Sequence, residues 1–197
     1  MEDKEGIIWM GSKQDGLFRL ERTGDDRFKM RQFTRQKDNP YSLSYNSIYT
    51  IFQDSKNRIW IGCYGGGLNL IEETQEGDIR FLHSGNKLTG YSKDRFAKVR
   101  YITEANRVLL VGTTEGLLTF SSEFTQPEQI EFYRNIRIPD KVSSLCSNDV
   151  IYIYTDSRKD TYVLSFTGGL NKILSENLLS DQIEFKTYTT QNGLPSD

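Results

Sequence analysis

The chain has 197 residues with 25 basic and 27 acidic side chains, so 25 − 27 leaves a formal charge of −2 and no basic footprint for nucleic acid. Hydrophobic residues are 36% and aromatics 12%, enough for a core and biased toward sheet. No run nears the roughly 18 apolar residues of a membrane span, and the opening residues carry no charged-then-apolar leader.

The first strand-like run is Ile8-Trp9-Met10-Gly11, followed by the pair Gly16-Leu17 and an aromatic run from Phe28 to Phe33. A second pass has Ile48 to Phe52, Ile59-Trp60-Ile61-Gly62, Gly67-Leu68 and Ile79 to Leu82. The third has Val99 to Ile102, Leu109-Leu110-Val111-Gly112, Gly116-Leu117 and Ile130 to Tyr133. The fourth has Val150 to Tyr154, Tyr162-Val163-Leu164-Ser165, Gly169-Leu170 and Ile183 to Tyr188. The leucines of the glycine pairs are 51, 49 and 53 apart, and the leading runs start 51 and again 51 apart. In the third pass Leu110 stands for the Trp; in the fourth, Val163 and Ser165 are aligned with Trp60 and Gly62.

Polar turns such as Asp54-Ser55-Lys56-Asn57 join the runs, as suits residues that bond their own backbone and tolerate left-handed dihedrals. No stretch of a dozen residues has helical periodicity. Four short strands repeated at about 50 residues predict an all-β fold: a β-propeller segment of about four blades, each a four-stranded antiparallel sheet. Gly11, Gly62 and Gly112 are expected where neighbouring blades pack face to face. Gly16, Gly67, Gly116 and Gly169 are expected to take positive φ and turn the chain into the third strand with Leu17, Leu68, Leu117 and Leu170. A phosphate-cradling role for Gly65-Gly66-Gly67 fails, because no Lys-Ser or Lys-Thr follows and no helix opens there. Trp9 and Trp60 are expected as buried packing devices.

With strands lettered A to D from the axis outward, the chain forms a single propeller segment over 1–197. Its blades fall at about 1–40 (partial), 41–90, 91–142 and 143–190, with 191–197 leading into a further blade. It holds four sets of B, C and D but three of A, which implies an incomplete ring. The isolated segment is expected to self-associate through uncovered blade faces and edges.

The pattern Asn46-Ser47-Ile48-x-x-Ile51-x-x-Asp54-x-x-Asn57-x-Ile59-Trp60-Ile61-Gly62, then Gly66-Gly67-Leu68-Asn69, resembles the two-component regulator propeller repeat. The closing Asn192-Gly193-Leu194-Pro195-Ser196 resembles the leader that opens such a repeat. The resemblance implies the periplasmic part of an inner-membrane hybrid sensor histidine kinase, homodimeric at full length. Such receptors sense glycan fragments and switch on the matching polysaccharide-degradation genes. The remaining propeller blades of the same chain would be its other partners.

Catalysis is not expected of the segment, nor a metal or cofactor. His83, the single histidine, is expected on the surface at the end of a D strand, away from any channel-side site. The enzyme alternative, a propeller lyase of the kind that opens streptogramin antibiotics, would need more than one histidine with Mg²⁺. Glu72-Glu73 and Asp25-Asp26 are expected in loops after strand C as solvated charge. Cys63 and Cys146, 83 apart, are expected as unpaired structural residues. Binding is the better expectation. The D-to-A loops (39–45 and 85–95) and B-to-C loops (12–15, 63–66 and 113–115) gather at one end of a propeller. They contain Tyr41, Tyr45, Tyr64, Tyr91 and Arg95, aromatic faces with a planar donor that suit an oligosaccharide. The competing reading is that these tyrosines roof the blades, in a structural or protein-interaction propeller with no small ligand.

Overall fold

Fifteen strands form among the described residues, 1–195, of a computed structural model, and all pair antiparallel in four sheets. The first sheet has three strands: β1 (Ile8–Gly11), β2 (Leu17–Gly24) and β3 (Arg27–Phe33). The second has four: β4 (Ile48–Gln53), β5 (Ile59–Cys63), β6 (Gly67–Glu73) and β7 (Ile79–His83). The third comprises β8 (Val99–Ala105), β9 (Val108–Thr113), β10 (Gly116–Ser121) and β11 (Tyr133–Asn135). The fourth comprises β12 (Val150–Thr155), β13 (Thr161–Ser165), β14 (Leu170–Ile173) and β15 (Phe185–Tyr188). A single helical turn, α1 (Lys93–Phe96), precedes β8. The chain forms two compact units, Met1–Val99 and Arg100–Asp197.

The A-to-B hairpins show why these residues turn where they do. Asp54 Oδ1 accepts the backbone N–H of Lys56 and Arg58, both at 2.9 Å, while Asn57 takes φ 65°. Asp156 does the same with Arg158 and Asp160, and Asp3 with Glu5 and Ile7. The other carboxylate oxygen reaches six residues on to the indole N–H, Asp54 to Trp60 at 2.9 Å and Asp3 to Trp9 at 2.7 Å. In the third sheet Ala105 and Leu110 replace Asp and Trp together, and a two-residue turn at Asn106-Arg107, both at positive φ, closes the hairpin. A buried carboxylate without its donor is costly, so Trp60 and Trp9 stand over the buried Asp54 and Asp3, while the half-buried Asp156 of the fourth sheet keeps its turn without a Trp.

In the first unit, residues 1–3 lie beside β1 and supply a stub of inner strand: Met1 C=O accepts the Trp9 N–H at 2.8 Å, and Glu2 bridges Ile8. Trp9, Leu17, Leu43, Ile48, Ile61 and Phe81 form its core, between the first two sheets. A Cβ on Gly11 would lie 2.4 Å from Ile48 Cγ2, and one on Gly62 2.5 Å from Val99 Cγ1. In the second unit a Cβ on Gly112 would lie 2.8 Å from Val150 Cγ1, within a core of Leu110, Leu117, Ile153, Val163 and Phe185. Each glycine admits the first residue of the following A strand. The turn glycines Gly16, Gly67, Gly116 and Gly169 have φ of 80°, 75°, 127° and 94°.

Three local expectations are corrected. In β13, Tyr162 pairs Tyr154 and Leu164 pairs both Tyr152 and Leu170, the places that Trp60 and Gly62 hold in β5. The fourth blade's counterparts are thus Tyr162 and Leu164 rather than Val163 and Ser165. β11 starts at Tyr133 and not at Ile130, because Pro127 opens a 3-10 turn that engages the Gln129 and Ile130 amides. Glu72 and Glu73 lie within β6, opposite Arg80 and Ile79, while Asp25 and Asp26 sit in the β2–β3 turn. The predicted leader starts at the end of a capped 3-10 turn, Thr190–Asn192, closed by Gly193 at φ 95°; Ser196 and Asp197 lie outside the described residues.

Candidate functional site

The D-to-A loop 34–47 is built on hydrogen bonds that short polar side chains make to the backbone. Ser42 Oγ accepts the Gln36 N–H and donates to the Gln36 carbonyl, and Asn46 Oδ1 accepts the Arg35 N–H. The loop 136–149 repeats these contacts 102 residues later with Ser144 and Asn148. Strand C anchors both loops. Asn69 Oδ1 accepts the Ser44 N–H, while its Nδ2 donates to Ser44 Oγ and Cys63 Sγ. Asn171 makes the matching contacts to Cys146 N–H, Cys146 Sγ and Ser165 Oγ. Thiol and hydroxyl have exchanged places between the two sites, which accounts for both cysteines as loop anchors. Burial pushes the Cys63 thiol up to about 11. A thiol reagent applied to native protein at pH 8 is therefore expected to label half-buried Cys146 well before Cys63; mass spectrometry of the labelled peptides reads the order, and equal rates would contradict it.

Between loops 34–44 and 83–94 of the first unit lies an open cleft of about 490 Å³. Its floor is Ser42, Leu43, Ser44 and Tyr91, all buried, and its walls carry Arg35, Lys37, Lys93 and Asp94. A second depression of about 360 Å³ is lined by Lys13, Gln14, Tyr45 and Asn46, and shares Arg35 with the first. Loop 12–15 is drawn to this end by the Gly16 N–H bond to the Asn46 carbonyl and the Ile48 N–H bond to the Ser12 carbonyl, at 3.0 and 2.8 Å.

The five predicted ligand residues meet different fates. Tyr45 is 41% exposed, with its ring against Gly65 at the smaller depression. Tyr64 stacks on Tyr49 with centroids 4.5 Å apart and planes at 19°, with the Lys98 ammonium over its ring at 5.3 Å. Tyr41 is half-buried under the Arg80 guanidinium. Tyr91 corrects the expectation: it is 3% exposed and its hydroxyl donates to the Phe96 carbonyl at 2.6 Å, so it offers no ring face to a ligand. Arg95 is exposed on α1 but does not line the cleft, whereas its neighbours Lys93 and Asp94 do. Arg35, Lys37, Lys93 and Tyr49 escaped the sequence reading. The charge of the two loops was the available signal.

His83 also departs from expectation, since it is half-buried. Its Nδ1 accepts the Gly85 N–H at 3.0 Å, and its own N–H donates to Asn86 Oδ1 at 2.7 Å. Thr189 holds its turn through the same pair of contacts, to Gln191 and Asn192. The imidazole is thus a turn cap. Burial lowers its pKa first of all, with the charges of Lys93 and Arg35 acting the same way. An unfolded chain then binds more protons than the folded one at and somewhat below pH 6.5, so stability is complete above that value and falls as pH drops through it. Thermal melts between pH 8 and pH 5 should show this decline, and His83→Gln should flatten it. An unchanged slope would remove His83 from the account. No group of three or more His, Cys, Asp and Glu able to hold a metal occurs among the described residues.

Four-stranded antiparallel blades with glycine at each interblade approach define a β-propeller segment. Residues 42–65 match the family model described as Two component regulator propeller, the stretch that holds most of the repeat pattern read from the sequence. The extracellular domains of two hybrid two component systems of B. thetaiotaomicron, BT3049 and BT4673, superpose with TM-scores of 0.69 and 0.68 at 21% identity each. They cover 100% and 94% of this chain, which spans 23% and 24% of theirs. A histidine kinase named P4, from Formosa agariphila, is 33% identical over 70 residues, 36% of this chain and 5% of that protein. A virginiamycin B lyase from Staphylococcus aureus shares the fold at TM-score 0.56 and 17% identity. In fold, the chain therefore resembles a part of the extracellular domains of those hybrid two component systems, about a quarter of their length. No helix among the described residues is long and apolar enough to cross a membrane.

Proposed function

We propose that this segment belongs to the periplasmic sensor of an inner-membrane hybrid histidine kinase and helps to bind a carbohydrate whose arrival controls transcription of polysaccharide-utilisation genes. The observation that carries this reading is the loop end of the first unit, where an open cleft of about 490 Å³ adjoins a depression flanked by the exposed Tyr45 ring. A cleft of this size suits a small oligosaccharide, and an aromatic face beside polar walls suits a sugar ring with its hydroxyl edges. Binding there would act through the remaining blades on a homodimeric receptor. Titration calorimetry of the intact sensor against neutral and acidic oligosaccharides tests it. Tyr45→Ala should weaken binding roughly fivefold to tenfold, while Tyr64→Ala, whose ring is taken up by Tyr49 and Lys98, should weaken it less; unchanged binding in Tyr45→Ala would end the proposal. A second reading, a protein-interaction propeller without small ligand, is favoured by the exposure of Tyr152, Tyr154 and Leu164 on one side of the fourth sheet.

A further inference from the structure

The cleft has a charge opposite to that of the chain. Loops 34–47 and 84–98 together hold Arg35, Lys37, Lys87, Lys93, Arg95 and Lys98 against Asp38 and Asp94, so 6 − 2 gives +4 where the whole chain is −2. Three of these cations, Arg35, Lys37 and Lys93, line the cleft, and Asp94 is its one carboxylate. None of the three side chains has a hydrogen-bond or ion-pair partner among the described residues, although surface cations elsewhere in the chain do, as in Arg100–Asp149 and Lys172–Asp160. Arg35 and Lys93, 58 positions apart, both act on His83, which places their positive charge around a common space. Like charges converging on an open cleft repel one another, and an anion that enters it relieves that repulsion while gaining charge-assisted hydrogen bonds.

We infer that the cleft takes an acidic saccharide of about disaccharide size, whose carboxylate or sulfate is held by Arg35, Lys37 and Lys93. Arg35 presents a planar fork that meets two oxygens of one such group, and the two lysines act as point charges. Hydroxyl partners for the rest of the sugar are at hand in Asn39, Ser84 and Ser92 on the same walls. Arg35 also lines the depression beside Tyr45, so the anionic group would sit where the two spaces meet. This deepens the proposed carbohydrate role and rests on it.

The test is calorimetric titration of the 197-residue chain with digalacturonate, a 6-sulfated disaccharide, neutral cellobiose and inorganic sulfate. One or both acidic sugars should bind at least tenfold more tightly than cellobiose, and raising salt from about 50 to about 200 mM should weaken them several-fold. The exposed pair Arg35→Gln and Lys93→Gln, with an unchanged circular dichroism spectrum, should lose roughly tenfold in affinity for the acidic sugars. Preference for carboxylate over sulfate, or the reverse, identifies which group the fork accepts. Cellobiose binding as tightly as the acidic sugars, with the double variant unaffected, overturns the acidic assignment and leaves a carbohydrate role standing. Sulfate alone binding as tightly as the sulfated sugar reduces the cleft to an inorganic anion site. Absence of binding by all three sugars overturns both readings.

Discussion

Trp60→Ala is expected to lower the stability of the first unit by about 3–5 kcal/mol, the range for removing a large buried aromatic. Trp60 is fully buried, and an indole takes roughly 150–250 Å² out of water, several kcal/mol at about 25 cal/mol per Å². The loss has a second part. Asp54 is 1% exposed, and its Oδ2 accepts both the indole N–H and Arg58 Nε, so truncation withdraws one donor from a buried carboxylate. Trp60→Phe keeps most of the volume and loses the donor; it should fall between wild type and Ala. The measurement is a urea titration followed by the fluorescence of Trp9, which lies in the same unit. A loss below about 1 kcal/mol would mean that the Asp–Trp pair is ornamental to the blade, contrary to its joint replacement by Ala105 and Leu110 in the third sheet.

Gly62→Ala comes next, at about 2–3 kcal/mol from overpacking. The added methyl would lie 2.4 Å from Thr50 Cγ2 and 2.5 Å from Val99 Cγ1, and both neighbours are β-branched side chains with little rotamer freedom. Backbone has to move instead. Gly77→Ala is the internal control: its φ of 82° carries a left-handed cost of about 1–2 kcal/mol, yet nothing lies within 4 Å of the new methyl. A Val99→Ala change in the Gly62→Ala background should restore part of the loss, since it empties the contested space. If Gly62→Ala unfolds at the same urea concentration as Gly77→Ala, close approach is not why glycine follows the Trp strand.

The candidate site was less legible than the blades, for reasons of distance along the chain. Ser44, Cys63 and Asn69 read as three unrelated polar residues until strand C lays Asn69 beside a loop 25 positions earlier. Asn86-Lys87-Leu88 hides the turn that Asn192-Gly193-Leu194 announces, because Lys87 replaces the glycine. Tyr91 looked available in a polar stretch, but α1 brings the Phe96 carbonyl onto its hydroxyl and closes it into the core. The one-residue misalignment of the fourth blade has a similar cause. Without a Trp to mark the strand, only the hydrogen-bonded ladder tells Tyr162 from Val163, and a slip of one exchanges the two faces of the sheet.

From the sequence alone came the repeat, its strand order and the two duties of glycine, because these follow from local demands: alternating apolar positions, backbone-bonding turns and dihedrals that only glycine adopts freely. Tertiary structure decided which loop residues are available to a ligand. Arg35 and Lys93 belong to different turns of the repeat, and only folding sets their charges around one cleft. Burial then withdrew Tyr91 and half-withdrew His83, since a side chain's exposure depends on what the rest of the chain packs over it.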